Sequence, residues 1–421
     1  MYCTRDFAEK RTYYIHKSNP EVLSVNDKPT IALTGATGFL GSHLMASMLS
    51  SGYKIIVLGR PTKEETLQER ISKLLRWFGI EELSGQLELV NIDFLKPMLG
   101  LPEGNYNKLS AITDQIIHCA SDTSFAERKR DSVFKSNVSS LESILEFAAN
   151  ANVKFFHYIS TAYVAGANVT ICKECITSST DFLNVYEESK AQAENIINTF
   201  CEKNSIPFTI IRPSIVYGDS HTGRSLRFNA LYFPIQSLKY IKEIYLNDIK
   251  NHDGKKSNQN GIFIDQEGNL CLPLRIYLPK EGALNLIPVD YFVNATIKII
   301  TKASSSGIYN LTNNSHTKLE IISTYNEKHM KIKGVEIIYG KSADNILRNP
   351  AEELFDRFIE PYRLYLSDNR IFDRVNTDLI TDNLYPPEFT YEIFKNCMEY
   401  ANSVNWGESI FAEENKKNQQ C

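Results

Sequence analysis

Tyr186 and Lys190 stand four positions apart, a spacing that could support proton transfer to or from a carbonyl oxygen. On a helix this spacing stacks the two side chains one turn apart on the same face. A tyrosine titrates near pH 10, so a neighbouring ammonium is needed to stabilise its phenolate near neutral pH. With 22 tyrosines in the chain this spacing can arise by chance, and it also occurs at Tyr13/Lys17 and Tyr391/Lys395.

The position of Tyr186 distinguishes it from the other two tyrosines. Only Tyr186 follows a predicted fifth strand and opens the next predicted helix. That strand ends in Ser160 and Thr161, whose hydroxyls we expect at the carboxyl edge of a sheet. We therefore expect Thr161 and Tyr186 to meet at one site.

Short apolar runs alternate with helix-length segments over the first half of the chain, which indicates a parallel sheet with crossover helices. We predict strands at 30–34, 54–58, 87–92, 115–118, 155–160 and 208–212. Helices are predicted at 39–50, 64–78, 132–150 and 182–204. The fold class is α/β, a doubly wound parallel sheet whose ligand crevice lies at the carboxyl ends of the strands.

The domain organisation follows from where this rhythm starts and stops. Residues 1–28 are predicted to be an N-terminal arm, 29–224 the nucleotide-binding domain, 225–407 a smaller, mostly helical, substrate-facing lobe, and 408–421 a fraying tail. Within the lobe we expect a helix at 225–245 and a mobile polar loop at 251–261. A strand at 284–288, a helix at 289–301 and a strand at 307–311 are late elements of the nucleotide fold.

A glycine-rich turn follows the first strand at Gly35, Gly38 and Gly41. Gly35 permits the tight turn, Gly38 lets backbone approach a diphosphate, and Gly41 packs helix against strand. A diphosphate would then sit at the helix N-terminus, where free N–H groups favour anions. Because strand and helix patterns flank the turn, the sequence predicts dinucleotide binding.

The end of the second strand indicates which nicotinamide is bound. NAD sites usually place a carboxylate there for the ribose 2′-hydroxyl, but this chain has Gly59-Arg60. Arg60 could bind a 2′-phosphate by charge-assisted hydrogen bonds, with Arg70 as a second cation. NADP(H) is favoured over the alternative that both arginines are solvated surface charges.

Other strand ends supply further contacts. Asp93 and Phe94 close the third strand, where such folds commonly touch adenine. Ala120 and Ser121 follow the fourth strand beside the middle of the cofactor. His118, at the end of that buried strand, is interpreted as packing rather than as a base.

The motifs TGATGFLG, HCAS, STAYV, YEESK and RPS occur in this order. Over residues 29–311 the chain thereby resembles the extended short-chain dehydrogenase/reductase superfamily. With Arg60, Glu69-Arg70, YEESKAQAE, RPSIVYGDSHTG and NLIPVDY it resembles the thioester-reductase and fatty-acyl-reductase branch, the male-sterility type. The resemblance implies that Thr161 polarises the carbonyl and Tyr186 is the proton donor. It further implies that Lys190 lowers the Tyr186 pKa and holds the nicotinamide ribose.

The resemblance also implies that the segment from Pro213 to Val216 flanks the nicotinamide amide. Together with the motifs it gives the predicted cofactor contacts, which are Gly35, Thr37, Gly38, Phe39, Leu40, Gly41, Arg60, Arg70, Asp93, Phe94, Ala120, Ser121, Ser160, Tyr186, Lys190, Pro213, Ser214, Ile215 and Val216.

The expected function is NADPH-dependent reduction of an acyl thioester, on a carrier protein or coenzyme A, to aldehyde or alcohol. Two alternatives stay open: a sugar-nucleotide epimerase or hydroxysteroid-like dehydrogenase, and a nucleotide-sensing regulator without turnover. An epimerase usually has an acidic residue at the end of the second strand, where this chain has Gly59-Arg60. A regulator without turnover usually lacks the Tyr or the Lys of the pair, and this chain has both. Phe228, Tyr232 and Phe233 could line an acyl channel or be plain core.

Bulk composition excludes several other classes. The net charge is −4, without a basic excess that would suggest nucleic-acid binding. No apolar run reaches membrane-spanning length, and the polar N-terminus does not resemble a signal peptide, so a cytoplasmic location is expected. Cys172 and Cys175 have CxxC spacing, but without further ligands we interpret them as loop thiols, with no metal.

Overall fold

A computed structural model of the protein describes residues 28–80, 85–167, 169–340 and 347–411. Within these ranges the strands are β1 (Thr30–Thr34), β2 (Lys54–Gly59), β3 (Leu87–Asn91), β4 (Gln115–His118), β5 (Phe155–Ile159), β6 (Ile171–Cys172), β7 (Phe208–Pro213), β8 (Ile215–Tyr217), β9 (Phe263–Ile264), β10 (Leu270–Leu278), β11 (Ala283–Leu284), β12 (Leu286–Pro288), β13 (Gly307–Leu311), β14 (Thr317–Lys318), β15 (Ile332–Tyr339) and β16 (Ile371–Phe372). The helices are α1 (Phe39–Ser50), α2 (Leu67–Phe78), α3 (Glu103–Ile112), α4 (Arg130–Phe134), α5 (Ser140–Asn150), α6 (Val185–Lys203), α7 (Tyr232–Asn251), α8 (Lys255–Gln259), α9 (Val289–Lys302), α10 (Leu319–Met330), α11 (Pro350–Ile359), α12 (Val375–Thr381) and α13 (Tyr391–Ser403).

Seven parallel strands form the main sheet in the order β13-β7-β5-β4-β1-β2-β3. Successive side chains of a strand point to opposite faces, so both faces can be buried. Ile31 and Leu33 of β1 pack with residues of α1, α2 and α9, whereas Ala32 packs with residues of α3, α5 and α6. This arrangement confirms the predicted doubly wound α/β fold.

The C-terminal lobe has a hydrophobic core of its own, which joins side chains of α7, α10, α11 and α13. Helices were expected to dominate the lobe, but a three-stranded sheet in the order β15-β10-β9 runs through it. The sequence analysis missed β10 because Pro273 interrupts its apolar run. The structure accommodates Pro273 where the register of β10 against β15 shifts, a position that tolerates proline.

Several helix predictions need correction. The predicted mobile loop at 251–261 contains α8, and the Asp248 carboxylate accepts hydrogen bonds from the Ser257 amide (2.8 Å) and hydroxyl (2.7 Å). The helix expected at 225–245 begins only at Tyr232. A π-helical turn, Lys135–Ser139, interrupts the helix expected at 132–150. Helix α3 was not predicted, since it buries only Tyr106 and Leu109.

The chain ends and the CxxC pair complete this comparison. Except for Lys28, the predicted arm over 1–28 lies outside the described residues, as does the tail from residue 412. Cys172 is buried in β6 and Cys175 is exposed, and both are free thiols. The described part of the chain holds no cluster of His, Cys, Asp and Glu suited to a metal, and none of its helices is long and apolar enough to cross a membrane.

Candidate active site

A cavity of about 1260 Å³ follows the carboxyl edge of the seven-stranded sheet and continues into the C-terminal lobe. Every residue that the sequence predicted for the cofactor or the chemistry lines this cavity, from Gly35 after β1 to Val216 in β8. Parallel strands end at the same edge of a sheet, which brings together side chains that are far apart in the chain. The structure thus collects these residues at one place, while their roles stay predictions.

The glycine-rich turn between β1 and α1 has the geometry that a diphosphate needs. Gly35 has φ of 74°, and a Cβ there would lie 2.6 Å from the Ala120 amide nitrogen. A Cβ on Gly41 would lie 2.3 Å from the Gly35 carbonyl oxygen. Gly38 provides no side-chain cap for α1, whose first turn holds no acid. The first amides of α1 are therefore open to an anion.

Three arginines line the cavity beside the end of β2: Arg60, Arg70 and Arg227. Arg70 donates to the Thr37 hydroxyl (2.7 Å) and to the Arg60 carbonyl oxygen (3.2 Å), so the glycine-rich turn holds its guanidinium in place. Burial lowers the pKa of Arg70, and the nearby positive charges of Arg227 and Arg60 add to the lowering. Sequence reasoning missed Arg227, which comes from the segment before α7.

Two buried hydroxyls lie where the nicotinamide is predicted to bind, at the ends of β5 and β7. Ser160 and Ser214 are 2% and 8% exposed, and within the described residues neither Oγ has a hydrogen-bond partner. Both residues line the cavity at the ends of neighbouring strands β5 and β7. An unpaired buried hydroxyl is costly, and a carboxamide carries the donors and acceptors that would pair it. The residues present therefore fit a dinucleotide.

The predicted catalytic side chains lie after the end of β5 and in the first turns of α6. Lys190 is 2% exposed, donates to the Ile159 carbonyl oxygen (2.8 Å) and lies 4.5 Å above the Tyr158 ring. Thr161 caps the short 3₁₀ turn Ala162–Ala165 and faces the cavity. Burial raises the pKa of the Tyr186 phenol, and the nearby charges of Cys119 and Glu187 add to the rise, whereas the lowering by Lys190 stays a prediction. Tyr186 is thus protonated at neutral pH, as a proton donor must be.

The buried Lys190 makes the site sensitive to pH. Burial lowers the pKa of Lys190 to about 8. The ammonium is present below that pH and is lost above it, so we expect turnover to fall as the pH rises through about 8. Initial rates at saturating NADPH across the neutral and alkaline range test this, so that a change in cofactor affinity does not enter the measured rate. A rate that stays flat well above that pKa would contradict it.

Asn137, in the π-helical turn, joins the loop after β4 to α6. Its Oδ1 accepts from the Asp122 amide (2.7 Å) and the Ser121 hydroxyl (3.1 Å), and its Nδ2 donates to Ser189 Oγ (2.9 Å). The residue is 1% exposed. Sequence reasoning passed over Asn137, because an asparagine in a helical pattern gives no signal of such contacts.

A second set of polar contacts holds the start of α6, where Tyr186 lies. Asn184 caps the helix by accepting from the Glu187 amide (3.1 Å). The buried Glu187 carboxylate accepts from the Tyr365 hydroxyl (2.6 Å), and Tyr365 in turn accepts from Asn184 Nδ2 (2.7 Å). Tyr365 lines the cavity and belongs to the C-terminal lobe. The lobe therefore helps to position the helix that carries Tyr186.

The other titratable residues that the sequence analysis considered lie away from the predicted catalytic residues. His118 bonds the Thr34 hydroxyl (2.9 Å) and does not line the cavity, which confirms its interpretation as packing. Tyr391 and Lys395 lie on α13, also off the cavity, and Tyr13/Lys17 fall outside the described residues.

The aromatic residues before and on α7 do not form an acyl channel. Phe228 and Tyr232 are buried in the core of the lobe, and Phe233 packs on the Tyr362 ring at 5.7 Å. None of the three lines the cavity. The plain-core alternative is correct for Phe228 and Tyr232. A different aromatic residue, Phe125 from the loop after β4, lines the cavity. Its ring centroid lies 5.9 Å from that of Tyr186 and 5.4 Å from that of Tyr365.

The chain is similar in sequence to a known family and to characterised reductases. The male sterility protein family, a family of NAD-binding domains, matches residues 33–296. The chain is 27% identical over 341 residues to the L-2-aminoadipate reductase large subunit of Candida glabrata, covering 75% of this chain and 23% of that protein. It is 26% identical over 304 residues to fatty acyl-CoA reductase 1 of Rattus norvegicus, covering 68% and 58%. The chain thus spans less than two thirds of these relatives.

Solved structures share the fold. The terminal R domain of the myxalamid PKS-NRPS biosynthetic pathway aligns with a TM-score of 0.68 at 22% identity, covering 90% of this chain and 92% of that one. UDP-glucuronic acid 4-epimerase from Bacillus cereus, in complex with NAD, aligns with a TM-score of 0.59 at 15% identity, covering 89% and 99%. The fold alone therefore does not separate reductases from epimerases, whereas the family match does. The chain belongs to the male sterility family of NAD(P)-binding oxidoreductases, the thioester-reductase and fatty-acyl-reductase branch of the extended short-chain dehydrogenase/reductase superfamily.

Proposed function

We propose that the protein uses NADPH to reduce an acyl thioester, carried on coenzyme A or a carrier protein, to an aldehyde or an alcohol. The observation that carries the proposal is the continuity of one cavity. It joins Thr161, Tyr186 and Lys190 to a part enclosed by α7, β10, α10, β15 and α11, which we call the lobe chamber. Its wall is mainly aliphatic and includes Ile235, Leu238, Ile276, Ile322, Ile337 and Phe355. Such a wall suits an acyl chain better than a sugar nucleotide.

The site residues divide the chemistry among them. When bound, the reduced nicotinamide supplies the hydride that the thioester carbonyl carbon accepts. Tyr186 gives its proton to the carbonyl oxygen, and the Thr161 hydroxyl donates a hydrogen bond to the same oxygen. Lys190 keeps a positive charge beside the phenolate that remains. The C–S bond of the resulting hemithioacetal then breaks while its hydroxyl gives up the proton and becomes the aldehyde carbonyl. The sulfur takes up a proton and leaves as a free thiol.

The product thiol gives the direct test of reaction class. We expect NADPH oxidation with a medium or long acyl thioester to release one thiol for each thioester consumed. The assay pairs absorbance of NADPH with a thiol reagent, and it runs coenzyme A and carrier-protein thioesters beside aldehydes and ketones. NADPH oxidation with ketones or aldehydes, but no thiol from any thioester, would leave the dehydrogenase alternative in place of this proposal.

Arg60→Ala tests the cofactor preference. We expect it to weaken NADPH binding by about 1.5–3 kcal/mol, the range for hydrogen bonds to charged groups. NADH lacks the 2′-phosphate, so its affinity should hardly change. Fluorescence titration of both cofactors measures this, with Arg76→Ala as the matched control, since Arg76 is an exposed arginine on α2 away from the cavity. A wild type that prefers NADH would refute the assignment.

A further inference from the structure

The lobe chamber is almost wholly apolar, with two exceptions on α10. Among the residues that its five elements contribute to the cavity wall, only Ser323 and Asn326 are polar, and none is charged. The two side chains are three positions apart, so they lie on the same face of the helix. A purely aliphatic occupant would leave both of them facing hydrocarbon.

Asn326 carries an unpaired acceptor in this wall. Its side chain is 6% exposed, and Nδ2 donates to the Ile322 carbonyl oxygen at 2.9 Å. Its Oδ1 is buried and receives no hydrogen bond from any described residue. A buried carbonyl oxygen without a donor is costly, so natural proteins seldom leave one without a partner.

Ser323 adds a second unused group one turn earlier on α10. A serine within a helix commonly donates to the carbonyl oxygen four residues before it. Other hydroxyls of this chain do so, for example Thr324 to the Glu320 carbonyl oxygen (2.8 Å). Ser323 makes no such bond within the part of the chain that the structure describes, and it is only half-buried at the cavity wall. Its hydroxyl is free to donate or accept.

From these contacts we infer that the acyl chain of the substrate carries a neutral polar group that binds Asn326 and Ser323. The group must donate to Asn326 Oδ1 and can accept from Ser323 Oγ, as a hydroxyl or a secondary amide does. Ionised groups do not fit, because the described residues of the chamber wall offer no counter-charge to offset their desolvation. The inference rests on the proposed function and narrows its substrate class to polar-substituted acyl thioesters.

The test compares acyl pantetheine thioesters of equal chain length. One series is unsubstituted, one carries a hydroxyl at successive positions, and one carries a secondary amide. With the wild-type protein we expect kcat/KM to be at least about 10-fold higher for a substituted chain at one position, since only that chain pairs the buried acceptor. The hydroxyl and amide series show which of the two groups is recognised.

Variants assign the preference to α10. Asn326→Leu should abolish or reverse it by raising kcat/KM for the unsubstituted chain, and Ser323→Ala should reduce it. Ile322→Val, a purely apolar change in the same wall, should affect both chains alike. If Asn326→Leu does not fold, Asn326→Ala and Ser323→Ala carry the test.

The outcomes separate this inference from the proposed function. Reduction of thioesters with no preference for any substituted chain would overturn the inference and leave the function intact. If no thioester is reduced, the proposed function fails, and binding decides the inference without turnover. Long-chain alkanediols should then raise the melting temperature more than alkanols of equal length. Equal shifts would overturn the inference.

Discussion

Tyr186→Phe is expected to lower turnover by about 10²–10⁴-fold, the usual contribution of a positioned general acid. The phenylalanine ring keeps the contact with Phe125, whose ring centroid lies 5.9 Å from that of Tyr186. The substitution therefore removes the proton donor without emptying the site. NADPH affinity should change little, because the glycine-rich turn and the arginines are predicted to bind other parts of the cofactor.

The chain provides a matched control for this prediction. Tyr391 starts another Tyr-x-x-x-Lys pair, on α13 and away from the cavity, so Tyr391→Phe should leave turnover near the wild-type value. Single-turnover rates with saturating NADPH measure the chemical step for both variants. A Tyr186→Phe protein that turns over at the wild-type rate would remove this phenol from the mechanism.

Glu194→Ala is expected to destabilise the protein by about 3–5 kcal/mol, the cost of leaving one charge of a buried ion pair unpaired. Glu194 is fully buried, and its Oε1 accepts from Nε of Arg212 at 2.9 Å. Arg212 is 1% exposed and also donates to the carbonyl oxygens of Lys173 (3.0 Å) and Cys175 (2.9 Å). Although burial opposes the charge, Glu194 raises the pKa of Arg212, so the guanidinium stays ionised.

Urea denaturation measures this effect. Gln192→Ala, at an exposed position of the same helix α6, should change the free energy of unfolding by no more than about 0.5 kcal/mol. Replacing Glu194 and Arg212 together by Leu and Met should recover part of the loss, because no charge is left buried alone. A loss below about 1 kcal/mol in Glu194→Ala would contradict the prediction.

The sequence alone determined the nucleotide-binding half of the protein. The predicted limits of β1, β4 and β13 agree with the structure to the residue. Strands buried on both faces read as continuous apolar runs, so their limits are visible without tertiary information. The residues after those strands, such as Gly35 and Thr161, could be assigned to one site because parallel strands end at one edge. Local pattern and a general rule of the fold were sufficient there.

Only the tertiary structure decided what the C-terminal lobe contributes. β10 contains Pro273 and pairs with β15, which is distant in the sequence. The local sequence pattern therefore does not predict this strand. Arg227, Tyr365 and Asn326 are ordinary polar residues in the sequence, and they reach the cavity only because the lobe packs on the sheet. Contacts between distant segments depend on packing rather than on local propensity. For that physical reason the residues that meet at the carboxyl edge of the sheet could be predicted from the sequence, whereas the lining of the lobe chamber could not.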